Sequence, residues 1–179
     1  EMGVSESDIE ASVETLEKEN TRVIDENADR YFFVAEPEKL TVSGLPEDIE
    51  PEMQVHPEHE ERGIRSPDLD IVDGEVEIFV DQKDLEDGFL RLKGLCNVKV
   101  SGSSAEFVEG DHKDALEKDA EFIHWVPGYA DEASVGMPDG ETVVGRIEPN
   151  DINADEVVQF ERFGFVRCDD ESLFYYAHE

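Results

Sequence analysis

From Arg30 to Ala177 the sequence is a succession of short apolar runs, each stopped by glycine, proline or charge. Arg30-Tyr31-Phe32-Phe33-Val34 comes first, Pro37 interrupts it, and Leu40-Thr41-Val42 resumes it. Proline removes a ladder donor, so this reads as one strand with a kink. Residues 44–70 are rich in Pro, Glu and His and read mainly as loop. Val76, Ile78 and Val80 alternate with Glu75, Glu77 and Phe79, the pattern of a half-buried strand. Gly88 to Lys93, Val98 to Val100 and Glu106 to Val108 continue the series around a Ser101-Gly102-Ser103-Ser104 turn, and Asp114 to Ala120 suits a brief helical turn. Phe122 to Val126 forms a strand stopped by Pro127-Gly128; Ala133 to Met137, Val143 to Ile147 and Leu173 to Ala177 follow. Many short strands between Gly and Pro turns specify a sandwich or barrel, here two small barrels, with no internal repeat.

The segment from Val157 to Asp169 is the most apolar and aromatic of all. Phe160, Phe163 and Phe165 together belong in a core, while Gln159, Glu161, Arg162 and Arg167 are threaded between them. Side chains alternate across a strand, so these polar groups point to the opposite face, towards solvent or a ligand. Near the start, Ser7-Asp8-Ile9-Glu10 has the form of a capping box, and Ile9, Val13 and Leu16 recur at helical spacing, predicting a short amphipathic helix over residues 7–20.

The chain carries 48 acidic residues against 15 basic, a net charge of −33 over 179 residues. The acids are spread evenly, which points to a surface adapted to concentrated salt, where screening shortens the repulsion. A hydrophobic fraction of 38% in strand-like runs argues against disorder. Acidity normally argues against a nucleic-acid partner. In high salt the counterion-release contribution shrinks, so affinity rests on base contacts, stacking and a few placed arginines. There is no apolar run long enough to span a membrane and no signal peptide pattern. Cys96 and Cys168 have no motif spacing and read as free thiols of a cytoplasmic protein. Starting at Glu1, the chain reads as a fragment of a longer one.

His56 and His59 lie three apart, but a structural zinc site needs four clear ligands, and Pro57 suits a loop. Acidic pairs such as Glu60-Glu61 fit no calcium loop. His124-Trp125, within an apolar strand, reads as packing. No nucleophile elbow, phosphate loop or dinucleotide fingerprint occurs. The residues alone describe an acidic β-protein that binds something, with Arg30, Arg91, Arg162 and Arg167 standing out; a protein partner or divalent cations are the alternative to RNA.

Five stretches sharpen this. Asp29-Arg30-Tyr31-Phe32-Phe33-Val34 with Pro37 and Lys39-Leu40, His56-Pro57 with Glu61-Arg62-Gly63, Arg91-Leu92-Lys93 with Asn97-Val98, Ile123-His124-Trp125-Val126-Pro127, and Val158 to Phe165 together resemble the C-terminal anticodon-binding region of archaeal-type glutamyl-tRNA synthetases, and more distantly that of the glutaminyl enzymes. The resemblance implies a mainly β fold with a short N-terminal helix. Residues 1–28 would end the helical linker to a catalytic domain, 29–86 plus 156–179 would form a proximal barrel, and 87–155 a distal one. It implies contacts from Arg30, Gln159 and Arg162 to the middle anticodon base, a uracil, with Arg91 and Lys93 near neighbouring nucleotides. It implies a parent enzyme, from a halophilic archaeon, that attaches glutamate to tRNA with ATP and Mg²⁺. This part would need no cofactor and have no activity alone. The expected partners are tRNA(Glu), with tRNA(Gln) as a second candidate, and the parent's own catalytic domain; a monomer is expected, with neither DNA nor membrane as partner.

Overall fold

The computed structural model describes residues 21–178, so the helix expected over 7–20 lies outside the described residues. Residues 21–27 are helical (α1) and lead directly into the strands. In chain order these are β1 Arg30–Tyr31, β2 Phe33–Val34, β3 Pro37–Ser43, β4 Met53–Gln54, β5 Ile64–Arg65, β6 Glu75–Asp81, β7 Gly88–Leu92, β8 Asn97–Ser101 and β9 Ser104–Val108. A short helix, α2 His112–Glu117, intervenes; β10 Glu121–Ile123, β11 Trp125–Pro127, β12 Asp131–Gly136, β13 Thr142–Ile147, β14 Val157–Phe160, β15 Gly164–Asp170 and β16 Leu173–His178 complete the series. The α2 start is fixed by a capping box, with the Asp111 carboxylate accepting from the Lys113 and Asp114 amides.

Two seven-stranded sheets result. The first runs β1-β14-β15-β16-β12-β13-β2, the second β10-β7-β8-β9-β3-β6-β11, and β4 and β5 form a separate ribbon. The two edges of the first sheet, β1 and β2, are consecutive in the chain and separated only by Phe32. The two edges of the second, β10 and β11, are likewise separated only by His124. Each sheet thus begins and ends on one stretch of chain, which closes it almost fully into a barrel and hides the edges that would otherwise template aggregation.

Period-two alternation explains where these residues go. Tyr31 and Phe33 point into the first barrel, with Val135, Ile147, Val158, Phe160, Val166 and Phe174. Phe32, between them, points the other way and joins Leu40, Ile78, Val80, Leu92, Val98 and Trp125 in the second core. Its ring stacks on His124, centroids 4.3 Å apart and 14° from parallel. The two strand interruptions therefore meet ring to ring. The Phe32 backbone at the break is satisfied by Glu148: its amide donates to Oε1 at 2.5 Å, and its carbonyl accepts from the Glu148 amide at 3.2 Å. Glu148 is buried, and Arg65 closes an ion pair with it.

Several expectations need amendment. The stretch 30–42 is not one kinked strand: β2 pairs with β13 in the first sheet, and β3 pairs with β6 and β9 in the second. Pro37 opens β3 opposite Asp81, so the break marks a crossing between barrels. Residues 122–126 are likewise split at His124. The sheets also divide the chain differently from the expected units 29–86 plus 156–179 and 87–155. Strands within 37–81 pair with those within 88–127, and strands within 131–147 pair with those within 157–178. The pattern of apolar runs marks strands but carries no information about which sheet each joins. Residues 44–70 are mostly irregular, as expected, apart from the β4–β5 ribbon and a 3-10 turn at Glu60–Arg62.

Phe32 is fully buried where both barrels join. Phe32→Ala is expected to destabilise the protein by about 3–5 kcal/mol, the range for a large aromatic removed from a core. Phe163→Ala, at a half-buried rim position, should cost clearly less; urea denaturation of both variants checks the order.

Candidate nucleic-acid interface

The first and last strand segments of the first barrel bring distant residues together. β1 and β14 pair in parallel with Arg30 opposite Gln159, and the Gln159 amide donates to the Asp29 carbonyl at 2.9 Å. Arg30 holds Asp25 at 3.2 Å through one terminal nitrogen, but its Nε is buried with no hydrogen-bond partner in the protein. The Oε1 of Gln159 is also buried and unpartnered. A free donor and a free acceptor stand on neighbouring strands, an arrangement that is costly unless something polar meets them.

Beyond β14 the chain turns through Glu161, Arg162 and Phe163, with the Phe163 amide donating to the Phe160 carbonyl at 2.9 Å. Arg162 takes φ +65°, the left-handed region, which costs a non-glycine residue of order 1–3 kcal/mol. Its guanidinium forks onto Asp84, Nη1 at 2.6 Å and Nη2 at 2.8 Å, with Glu121 at 3.9 Å. The fork, raised in pKa by that hydrogen-bonded carboxylate, is already occupied.

Lys93 follows β7. Its carbonyl accepts from the Trp125 indole at 3.0 Å, and its ammonium contacts the Glu161 carboxylate and lies 5.7 Å from the Phe32 ring centre. The next residue, Gly94, has φ +71°, and a Cβ there would sit 2.7 Å from the Glu52 carbonyl oxygen. Glycine thus admits the β4–β5 ribbon against the barrel, where the Glu52 amide donates to the Gly94 carbonyl at 2.7 Å. The result is a cleft of about 590 Å³ whose walls include Arg30, Gln54, Ile64, Lys93, His112 and Glu161. Arg91, two residues before Lys93, is held by Asn97 at 2.8 Å. The structure thus puts Arg30 and Lys93 in the walls of one cleft, sets Gln159 opposite Arg30 on the neighbouring strand, leaves Arg91 farther along β7, and ties Arg162 to Asp84. Arg167 pairs with Asp155 at 2.8 Å and Asp169 at 3.6 Å.

What this arrangement can do is grip a planar polar group. It sets the Arg30 guanidinium and the Lys93 ammonium beside an exposed aliphatic, Ile64, with the unpartnered Gln159 amide oxygen buried on the strand next to Arg30. His56 and His59 make no metal site: His56 is buried against the Asp25 carbonyl, and no group of three ligating side chains exists among the described residues. Cys96 and Cys168 are both free thiols, one in each core, and burial pushes Cys96 up to about 12.

Residues 28–116 and 122–169 match two family models, both described as tRNA synthetases class I (E and Q), anti-codon binding domain. The chain belongs to this family. It is 40% identical over its whole length to a glutamate–tRNA ligase of Methanothermobacter thermautotrophicus, 36% to one of Pyrococcus furiosus and 35% over 99% of its length to one of Methanocaldococcus jannaschii. In each case it spans about a third of the relative, 32–33%. This anticodon-binding chain contains no helix among its described residues that is long and apolar enough to cross a membrane.

Sequence reasoning missed Arg65 and Glu148. Arg65 lies in the two-residue strand β5 and Glu148 just past the end of β13, and neither sits in a patterned run. Their ion pair, the Tyr31 and Phe32 rings under the Arg65 guanidinium at 5.4 and 5.1 Å, and Glu161 form the polar floor between the barrels. Glu161 holds Lys93 and approaches Arg65 and His124.

Burial pushes the His124 imidazole down to about 3, aided by the positive charges of Lys93, Arg162 and Arg65. The ring is therefore neutral at pH 7. An unfolded chain takes up a proton near pH 6.5 that the folded ring refuses, so this contribution to stability is whole above about 6.5 and falls as pH drops towards 3. His124→Phe, which keeps the stack on Phe32, is expected to lose less stability than the parent between pH 7 and 4; urea midpoints across that range test it.

Proposed function

We propose that this chain grips the anticodon loop of a tRNA in the cleft between its barrels, as the C-terminal part of a glutamate–tRNA ligase. The observation that carries this reading is the pair of unpartnered polar atoms, Arg30 Nε and Gln159 Oε1, on adjacent strands beside the Lys93 cleft. Uracil offers two carbonyl acceptors and one N–H donor. An arginine N–H meets a carbonyl, and the amide oxygen of Gln159 accepts the N–H. Lys93 and Arg91 supply positive charge for the flanking phosphates, and Arg162 joins them by letting go of Asp84. The pairing of a basic floor with an acidic exterior confines RNA to this mouth, because the rest of the surface repels phosphate.

In this reading the partner is tRNA(Glu), with tRNA(Gln) sharing the same middle base. The parent enzyme esterifies glutamate to the tRNA with ATP and Mg²⁺ held by its remaining two thirds, in the cytoplasm, as a monomer. The evenly spread acids suit concentrated salt, as in a halophilic archaeon.

Gln159→Ala and Arg30→Ala are each expected to lower affinity for a middle-U anticodon stem-loop by about 1–3 kcal/mol, roughly five- to 150-fold. Replacing the middle U with C should weaken the parent in the same way and weaken Gln159→Ala little further. Titrations in molar KCl measure this, and equal affinity for every stem-loop would sink the reading. Salt is also expected to raise the thermal midpoint steeply, because screening relieves the repulsion within a chain of net charge −33. A midpoint unchanged between dilute buffer and molar KCl would contradict adaptation to salt.

A further inference from the structure

We propose that Arg65 is a positioning residue that takes over the Glu161 carboxylate when Lys93 leaves it for RNA. This rests on the anticodon reading above. Glu161 stands between two cations of different kinds. Lys93, with a side chain 41% exposed, contacts its Oε2 from the open side of the cleft. Arg65, with a side chain only 10% exposed, has Nη2 waiting 3.8 Å from its Oε1, just outside hydrogen-bond distance. The Nε and Nη2 of Arg65 are buried and have no hydrogen-bond partner in the protein.

Two further contacts make Arg65 a receiver and not a traveller. Its other arm is fixed by the buried Glu148 carboxylate, and its plane is supported by the Tyr31 and Phe32 rings. A guanidinium held in this way presents its second arm in a fixed direction. A movement of Glu161 by less than an ångström or so would satisfy it.

The alternative explains why this matters. Glu161 is 11% exposed, and its other neighbour, His124, is neutral. If Lys93 departed with no second cation present, a nearly buried carboxylate would be stranded, which is strongly unfavourable. Lys93 would then remain pinned and contribute nothing to a phosphate or base. Arg65 offers the carboxylate a replacement partner, so the lysine is released without leaving an unpaired charge. Arg65 itself need never touch RNA.

The test is a double-mutant cycle in the full-length protein, with affinity for the middle-U stem-loop measured across a range of KCl concentrations. Lys93→Ala and Arg65→Met should weaken binding by a similar factor, and the double variant should bind no more weakly than either. Each single variant should make the salt dependence shallower by about one ion, the signature of one lost phosphate contact. Independent, additive losses, or an unchanged salt slope in Arg65→Met, would overturn the proposal. If Arg65→Met does not fold, Arg65→Lys carries the same cycle, since it keeps a cation against Glu148 and lacks the second arm. Absence of any stem-loop binding by the parent protein overturns the anticodon reading itself, and this inference with it.

Discussion

The structure depends on a buried carboxylate. At Phe32 the chain leaves one sheet edge and begins another, so its peptide groups there lose their ladder partners. An unpaired backbone amide in a core is expensive, and Glu148 supplies the missing acceptor. That solution brings a charge into the interior, and the charge requires Arg65. Burial pushes Glu148 up to about 7, against the pull of Arg65 and the Phe32 amide, so the pair contributes position more than net stability. Everything at the cleft floor is set by this chain of requirements: Arg65 lies where Glu161 can reach it, Glu161 lies where it holds Lys93, and the Phe32 ring lies under both cations.

Much of this could be read from the residues. The alternation at 75–81 located β6, the aromatic run at 157–169 located the β14–β15 hairpin, and the glycine and proline turns separated the rest. Gln159 stood out as a polar residue in an aromatic strand, and its partner Arg30 as an arginine beside apolar neighbours. Both retain an unsatisfied atom in the structure. What could not be read was pairing. Strand patterns have a period of two whichever sheet they enter, so the exchange of 37–81 between expected units left no local mark. Breaks at Phe32 and His124 were invisible for the same reason: both residues carry aromatic rings, and each lies within an apolar run. Arg65 and Glu148 drew no notice because a charged residue in so acidic a chain looks like surface until burial is known.

Arg162 illustrates a different limit. Its place in the motif suggested an open hand, whereas its left-handed backbone and doubled contact to Asp84 make it a strut between the hairpin turn and the Gln82–Asp84 turn of the second barrel. Lys93 and Arg162 are thus both held by carboxylates, Lys93 by Glu161 and Arg162 by Asp84. On the proposed anticodon reading each exchanges a carboxylate for RNA, and among the described residues the carboxylate of Lys93 has a second cation, Arg65, beside it.

The closure of both barrels on single broken strands bears on how this protein can be divided. Tyr31 and Phe33 cap the ends of one sheet, but the residues between its β2 and β12 build the whole of the other. The second barrel is thus an insertion within the first, and its own closing break is pressed against the first break through the Phe32–His124 stack. Cutting the chain between the barrels therefore opens two seams at once. Neither barrel is a removable module, and the pair should melt as one cooperative unit, with the cleft persisting as long as the fold does.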